Sequence, residues 1–161
     1  KDTAWTSYPP SSNPRLVRLR ETYANMGVTS PAEMGRLLTL MARGKLVSQA
    51  ASEKMVRIMS HQYWDDFIAF SVPPTVVTAS KVGALSRSRS DIAIVYGPRP
   101  YILTVYTDSQ KDRRWTSDNE GDTAIRKISG LVWNSMNPQM PYTPPKDAKK
   151  WAPTGGGVED S

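Results

Sequence analysis

The sequence has no cysteine, which excludes disulfides and thiolate metal sites. Its single histidine is His61, which leaves no basis for a histidine-built metal centre or a Ser-His-Asp triad. Nucleophilic chemistry would need a lysine or a carboxylate as its base. No apolar run approaches the roughly 20 residues of a membrane span. No signal peptide stands at Lys1, and the chain opens without an initiator methionine, as a processed chain or part of something longer does. There is no internal repeat, and no metal or cofactor is expected.

What is present suits one domain. A chain of 161 residues can bury a real core, and two domains are not expected. Hydrophobic residues make up 39%, a little low for a globule, and 13 prolines against 10 glycines point to long irregular connections. The net charge of +6 favours anionic partners such as nucleic acid, an anionic cell surface or small carboxylates. Plain solvated Lys- and Arg-rich faces would give the same balance.

Residues 1–28 are polar and broken by Pro9, Pro10 and Pro14, and read as an extended, omega-loop-like segment. A helix is expected over 30–43. Ser30 is its N-cap, Pro31 its first residue and Glu33 the far side of a capping box. Met34, Leu37, Leu38 and Met41 mark its buried face, and Gly44 its end. A second helix over 48–60 would bury Ala51, Met55, Ile58 and Met59. From His61 to Pro74 the aromatics suggest a helix end packed on a sheet. Asp65 and Asp66 are adjacent, diverge by about 100° on a helix, and make a poor carboxylate pair.

Three strands follow, over 75–81, 91–96 and 101–107. The first alternates, with Val77, Ala79 and Lys81 on one face. The other two are nearly all apolar, as in strands covered on both faces, and flank a Gly97–Pro100 hairpin loop. Short connections favour an antiparallel meander. Ser86–Ser90 reads as a polar, basic turn. A last helix over 119–134 would turn Ile125, Ile128, Leu131 and Val132 inward. The Pro- and Gly-rich tail, 135–161, reads as disordered or draped over the surface. The fold class is therefore α/β of the α+β type: an antiparallel sheet with helices on its faces.

Lys81-Val82-Gly83 at the end of the first strand, with this order of elements, resembles the C-terminal half of the serine β-lactamase and penicillin-binding-protein superfamily. The likeness is to its class A-like hydrolases and covers about residues 20–134. Thr29-Ser30-Pro31 with MGRLLTLMARGKL looks like the helix after that family's omega loop, and 48–59 like its next helix. VVTASKVGAL, DIAIVYG and PYILTVYTD look like its third, fourth and fifth strands. The family works through S-x-x-K, S-D-N and K-T-G motifs. Lys81 and Gly83 match the lysine and glycine of the third, making a KTG-like motif.

The departures are specific. No S-x-x-K occurs in the 161 residues. Val82 and Ala84 offer no hydroxyl to a substrate carboxylate. Ser117-Asp118-Asn119 spells S-D-N but follows the strands, where it reads as a loop and N-cap. Glu21 and Asn25 have the spacing of the omega-loop Glu-x-x-x-Asn, or belong to an ordinary loop. Lys81 is a catalytic candidate that lends positive potential, or a solvated strand-end charge. Gly83 and Ala84 would line the cleft. Arg87 and Arg89 are either substrate-carboxylate contacts or plain turn residues.

The resemblance implies acyl transfer through an acyl-serine supplied by an N-terminal segment of the same hydrolase. It implies a small-molecule or peptide carboxylate substrate and a secreted or periplasmic, extracytoplasmic location. The family's sheet places N-terminal strands beside its last strand, so this chain alone would leave 101–107 as an apolar edge. The alternatives are a non-catalytic scaffold or binding module of the same fold and a basic nucleic-acid-binding domain. The last rests on Arg113-Arg114-Trp115 and ranks lowest, because the basic residues are scattered.

Overall fold

The computed structural model describes residues 29–148. Its elements are α1 (Pro31–Ala42), α2 (Gln49–Met59), a 3-10 turn (Ala69–Ser71), β1 (Thr78–Leu85), β2 (Ser88–Val95), β3 (Tyr101–Tyr106) and α3 (Glu120–Met136). The strands form one antiparallel sheet in the order β1-β2-β3. The central strand β2 is buried continuously from Asp91 to Val95 because helices cover both faces.

Helix α1 begins where its chemistry requires. The Ser30 side chain accepts from Glu33 N, and Glu33 Oε2 accepts from Ser30 N at 2.9 Å. That box satisfies two of the backbone donors a helix start leaves open. Gly44 follows the helix with a φ of 67°, a left-handed conformation that glycine adopts without strain. Met34, Leu38 and Met41 pack on Ala79, Ile92 and Ile94 to form the core on one face of the sheet. Thr104 Oγ1 also donates to Pro31 O at 2.9 Å, tying α1 to β3.

The core on the other face joins Phe67, Ile68, Val72, Ala93, Val95, Val105, Ile125 and Trp133. Trp133 is fully enclosed, and its Nε1 donates to Met140 O at 2.8 Å. Tyr142 N donates to Asn134 Oδ1 at 2.8 Å, and its ring packs against this core. The start of the expected loose tail is therefore part of the packed domain through Tyr142, because α3 anchors it.

Four sequence expectations need correction. In α2 the fully buried side chain is Ser52, while Ile58 is exposed. Ser52 Oγ turns back on the connection, accepting from Leu46 N at 3.1 Å and lying 2.8 Å from both Leu46 O and Ser48 O. Residues 61–68 carry no helix end, since α2 stops at Met59 and only the 3-10 turn follows. Strand β1 starts three residues late, because Pro73-Pro74 lead into a turn closed by Val76 N to Pro73 O. It then continues to Leu85, since the hairpin turn is only Ser86-Arg87 and Ser88, Arg89 and Ser90 already pair with β1. In α3 the inward side chains include Asp122, Arg126 and Ser129 beside Ile125 and Trp133, whereas Ile128 and Leu131 face out.

Candidate functional site

Among the described residues strand β1 lies at the edge of the sheet and pairs only with β2, which leaves its outer edge open from Lys81 to the hairpin. Lys81 lies opposite Ile92, on the face shared with α1 and α2, and is exposed. Its Nζ donates to Val82 O at 2.7 Å. Gly83 is closely approached: a Cβ there would stand 2.7 Å from Ser90 Oγ, which donates to Gly83 O at 3.3 Å. Ala84 and Arg87 are exposed on the same hairpin. The structure thus gathers Lys81, Gly83, Ala84 and Arg87 on one open strand and its turn. Glu21 and Asn25 lie outside the described residues.

Arg89 belongs elsewhere. It sits in β2, is 2% exposed, and its Nε lies 3.0 Å from Asp122 Oδ1. Nη1 donates to Leu85 O and Ser88 O, and Nη2 to Arg114 O at 3.0 Å. The Trp115 ring lies over its Cζ at 4.6 Å. The expectation of a turn residue or a free carboxylate fork is corrected, because the guanidinium is spent on backbone carbonyls and a carboxylate. It is a buried clamp between the hairpin and the 107–119 connection.

A second clamp lies beside it. Arg126 Nη2 meets Asp66 Oδ2 at 3.1 Å, its Nε donates to Asp66 O, and its Nη1 to Ser117 O. Phe70 lies under its Cζ at 4.7 Å. Burial pushes the Asp122 carboxyl up, and the Arg89 and Arg126 charges pull it back. Ser117-Asp118-Asn119 is a helix start as expected, with Asn119 Oδ1 accepting from Gly121 N at 2.9 Å.

One buried group escaped the sequence reading. Asp91 on β2 faces Val82 of the KTG-like triplet across the strands and is 1% exposed. Its Oδ2 accepts from Ile68 N at 2.9 Å, while Oδ1 has no partner among the described residues. Burial pushes this carboxyl up to about 7, against the lowering effect of the Ile68 and Ile92 amides. A charged residue heading the apolar run DIAIV was the available signal. Among the described residues no cluster of His, Cys, Asp or Glu is arranged to hold a metal ion.

Comparison with known proteins places this geometry. A class A β-lactamase from Bacteroides cellulosilyticus matches with 20% identity and a TM-score of 0.62 over 86% of this chain and 50% of its own. A β-lactamase from Sphaerobacter thermophilus matches with 21% identity and a TM-score of 0.55, over 67% and 39%. A PBP-A variant solved as an acyl-enzyme complex with penicillin G matches with 18% identity and a TM-score of 0.59, over 68% and 40%. The chain thus spans about two fifths to one half of these structures. No curated protein matches it. The likeness to the solved structures is one of fold. The pattern of the beta-lactamase enzyme family matches residues 4–136, and the chain belongs to that family.

Proposed function

We propose that this chain is the C-terminal segment of a β-lactamase-like serine hydrolase. In this reading β1 forms the cationic wall of a cleft, and the attacking serine comes from a segment outside these 161 residues. The observation that carries it is the outer edge of β1, with Lys81 and Gly83 on it and no neighbouring strand among the described residues. The reaction would be acyl transfer from a β-lactam, peptide or ester through an acyl-serine. Lys81 supplies positive potential at the reacting serine or the substrate anion. Gly83 and Ala84 let the substrate approach the strand closely. Arg87, exposed at the turn, is the carboxylate contact in place of the hydroxyl Val82 lacks. Glu21 and Asn25 remain omega-loop candidates. The edge of β3 that is unpaired among the described residues, and the outward Ile128 and Leu131 on α3, suit cover by that further segment.

The site would be extracytoplasmic, by likeness to the family. No helix among the described residues is long and apolar enough to cross a membrane. A second reading, a non-catalytic scaffold of the same fold, draws on Val82 and Ala84 at positions where a hydroxyl would serve the substrate. The test is labelling of the complete gene product with a fluorescent penicillin. A covalent band weakened by Lys81→Ala supports the hydrolase. A properly folded, complete product that takes no label with any acyl donor supports the scaffold.

A further inference from the structure

The helical hairpin of α1 and α2 carries most of the chain's positive charge. From Met34 to Ser60 it holds Arg36, Arg43, Lys45, Lys54 and Arg57 against one acid, Glu53, a net +4 of the chain's +6. All five cations are exposed, and none enters an ion pair among the described residues. Glu53 is engaged, accepting from Gln49 Nε2 at 2.9 Å. A helix dipole favours a cation at the helix end, which accounts for Arg43 and Arg57 and not for the other three.

The tip of the hairpin adds apolar surface to this charge. Val47 is 90% exposed at a φ of 64°. A β-branched residue is strained in the left-handed region, and at this exposure it gains almost no packing in return. The turn is nevertheless held in one shape. Lys45 N donates to Leu40 O at 2.8 Å, and Ser48 N to Leu46 O at 2.8 Å. Leu46 packs on the core beneath the hairpin, and the buried Ser52 hydroxyl bonds both its N and its O. Leu46 thus packs inward while Val47 stands out beside Lys45. Leu40, 43% exposed, lies one helical turn before Arg43.

We propose that this tip, residues 40–47, docks on an anionic lipid surface, with Arg43 and Lys45 on the headgroups and the Val47 side chain entering the headgroup–acyl boundary. The inference goes beyond the hydrolase reading and does not depend on it. Charge complementarity suits any polyanion, and the apolar residue decides between them. A bilayer surface buries an aliphatic side chain. A nucleic acid offers a lone valine little, and residues 40–47 include no aromatic ring on which a base could stack. Each cation held near such a surface raises affinity about fivefold. Burying the valine side chain raises it about tenfold.

The test is co-sedimentation of the full chain with two kinds of vesicle, phosphatidylcholine alone and phosphatidylcholine mixed with phosphatidylglycerol, at low and high salt. Binding should occur only to the mixed vesicles and should weaken as salt rises. Arg43→Ala with Lys45→Ala should weaken it about 25-fold. Val47→Gly should weaken it about tenfold. That substitution relieves a strained turn, so the fold survives it, and urea unfolding checks this for every variant. Arg113→Ala, at an exposed cation of the 107–119 connection, should change binding far less than Arg43→Ala. Absence of binding to the mixed vesicles overturns the proposal. Equal effects of Arg113→Ala and Arg43→Ala overturn it in favour of diffuse charge. Binding that Val47→Gly leaves intact, matched by a single-stranded oligonucleotide at the same salt, overturns it in favour of a polyanion site. Penicillin labelling reads the hydrolase proposal separately, so the two can fail independently.

Discussion

Replacing Asp91 by asparagine isolates a buried carboxyl on the central strand whose Oδ1 has no partner among the described residues. Its folded pKa of about 7 lies about 3 units above the 3.9 of an unfolded chain. The folded state therefore holds the proton more tightly. Below about pH 4 both states are protonated and there is no penalty. As pH rises from about 4 to about 7 the unfolded chain gives up its proton first, and stability falls. The full loss is about 4 kcal/mol, at about 1.4 kcal/mol per pH unit. Asparagine keeps an oxygen for Ile68 N and never ionises. Its amide meets the same unpartnered space as Oδ1, which costs about 1–3 kcal/mol at every pH. The difference in stability between the two proteins should thus swing by about 3 kcal/mol from pH 5 to pH 8.5, toward the variant. Urea unfolding followed by tryptophan fluorescence at the two pH values measures it. Comparing two proteins cancels the other acids. Stability curves that run parallel across that window would show that Asp91 does not carry its proton into the fold, and the argument fails.

Three further outcomes are expected. Arg89→Met leaves the buried Asp122 without its partner and strips three carbonyls of a donor, so unfolding free energy should fall by about 3–5 kcal/mol. A double-mutant cycle with Asp122→Asn should recover part of that loss. Gly97→Ala would place a Cβ 2.7 Å from Cζ3 of the enclosed Trp133 ring, and overpacking of this kind should cost about 1–3 kcal/mol in urea unfolding. Val47 has a φ of 64° and is 90% exposed, with Ser48 N donating to Leu46 O across it at 2.8 Å. A β-branched residue is strained in that turn, so Val47→Gly should stabilise by about 1 kcal/mol and raise the melting temperature by about 3 °C, read by calorimetry.

The parts of the fold that the sequence made legible are those where local chemistry decides. Ser30, Pro31, Glu33 and Gly44 bracket α1 by hydrogen bonds and dihedrals that need no distant partner. Asn119 caps α3 for the same reason. The Gly97–Pro100 break between β2 and β3 is set by residues that cannot continue a strand. Within the candidate site, Lys81, Gly83, Ala84 and Arg87 stay together because they are neighbours on one hairpin. Arg89 could not be placed this way. Its role depends on Asp122 and Arg114, 33 and 25 residues further on, and no spacing rule joins them.

Helix α3 shows the deeper limit, and it bears on function. Periodicity assigns apolar residues to the inside, an assumption that holds when the chain in view supplies all the surfaces that meet. Here the clamps of Asp122 and Arg126 take the inward side, and Leu131 is left 73% exposed. Strand β3, apolar along most of its length, keeps one edge unpaired among the described residues. On the proposed reading, an apolar helix face and a strand edge that stay uncovered among the described residues are surfaces a further segment would bury. The polar interior of α3 fastens the hairpin that carries Lys81, through Asp122 on Arg89.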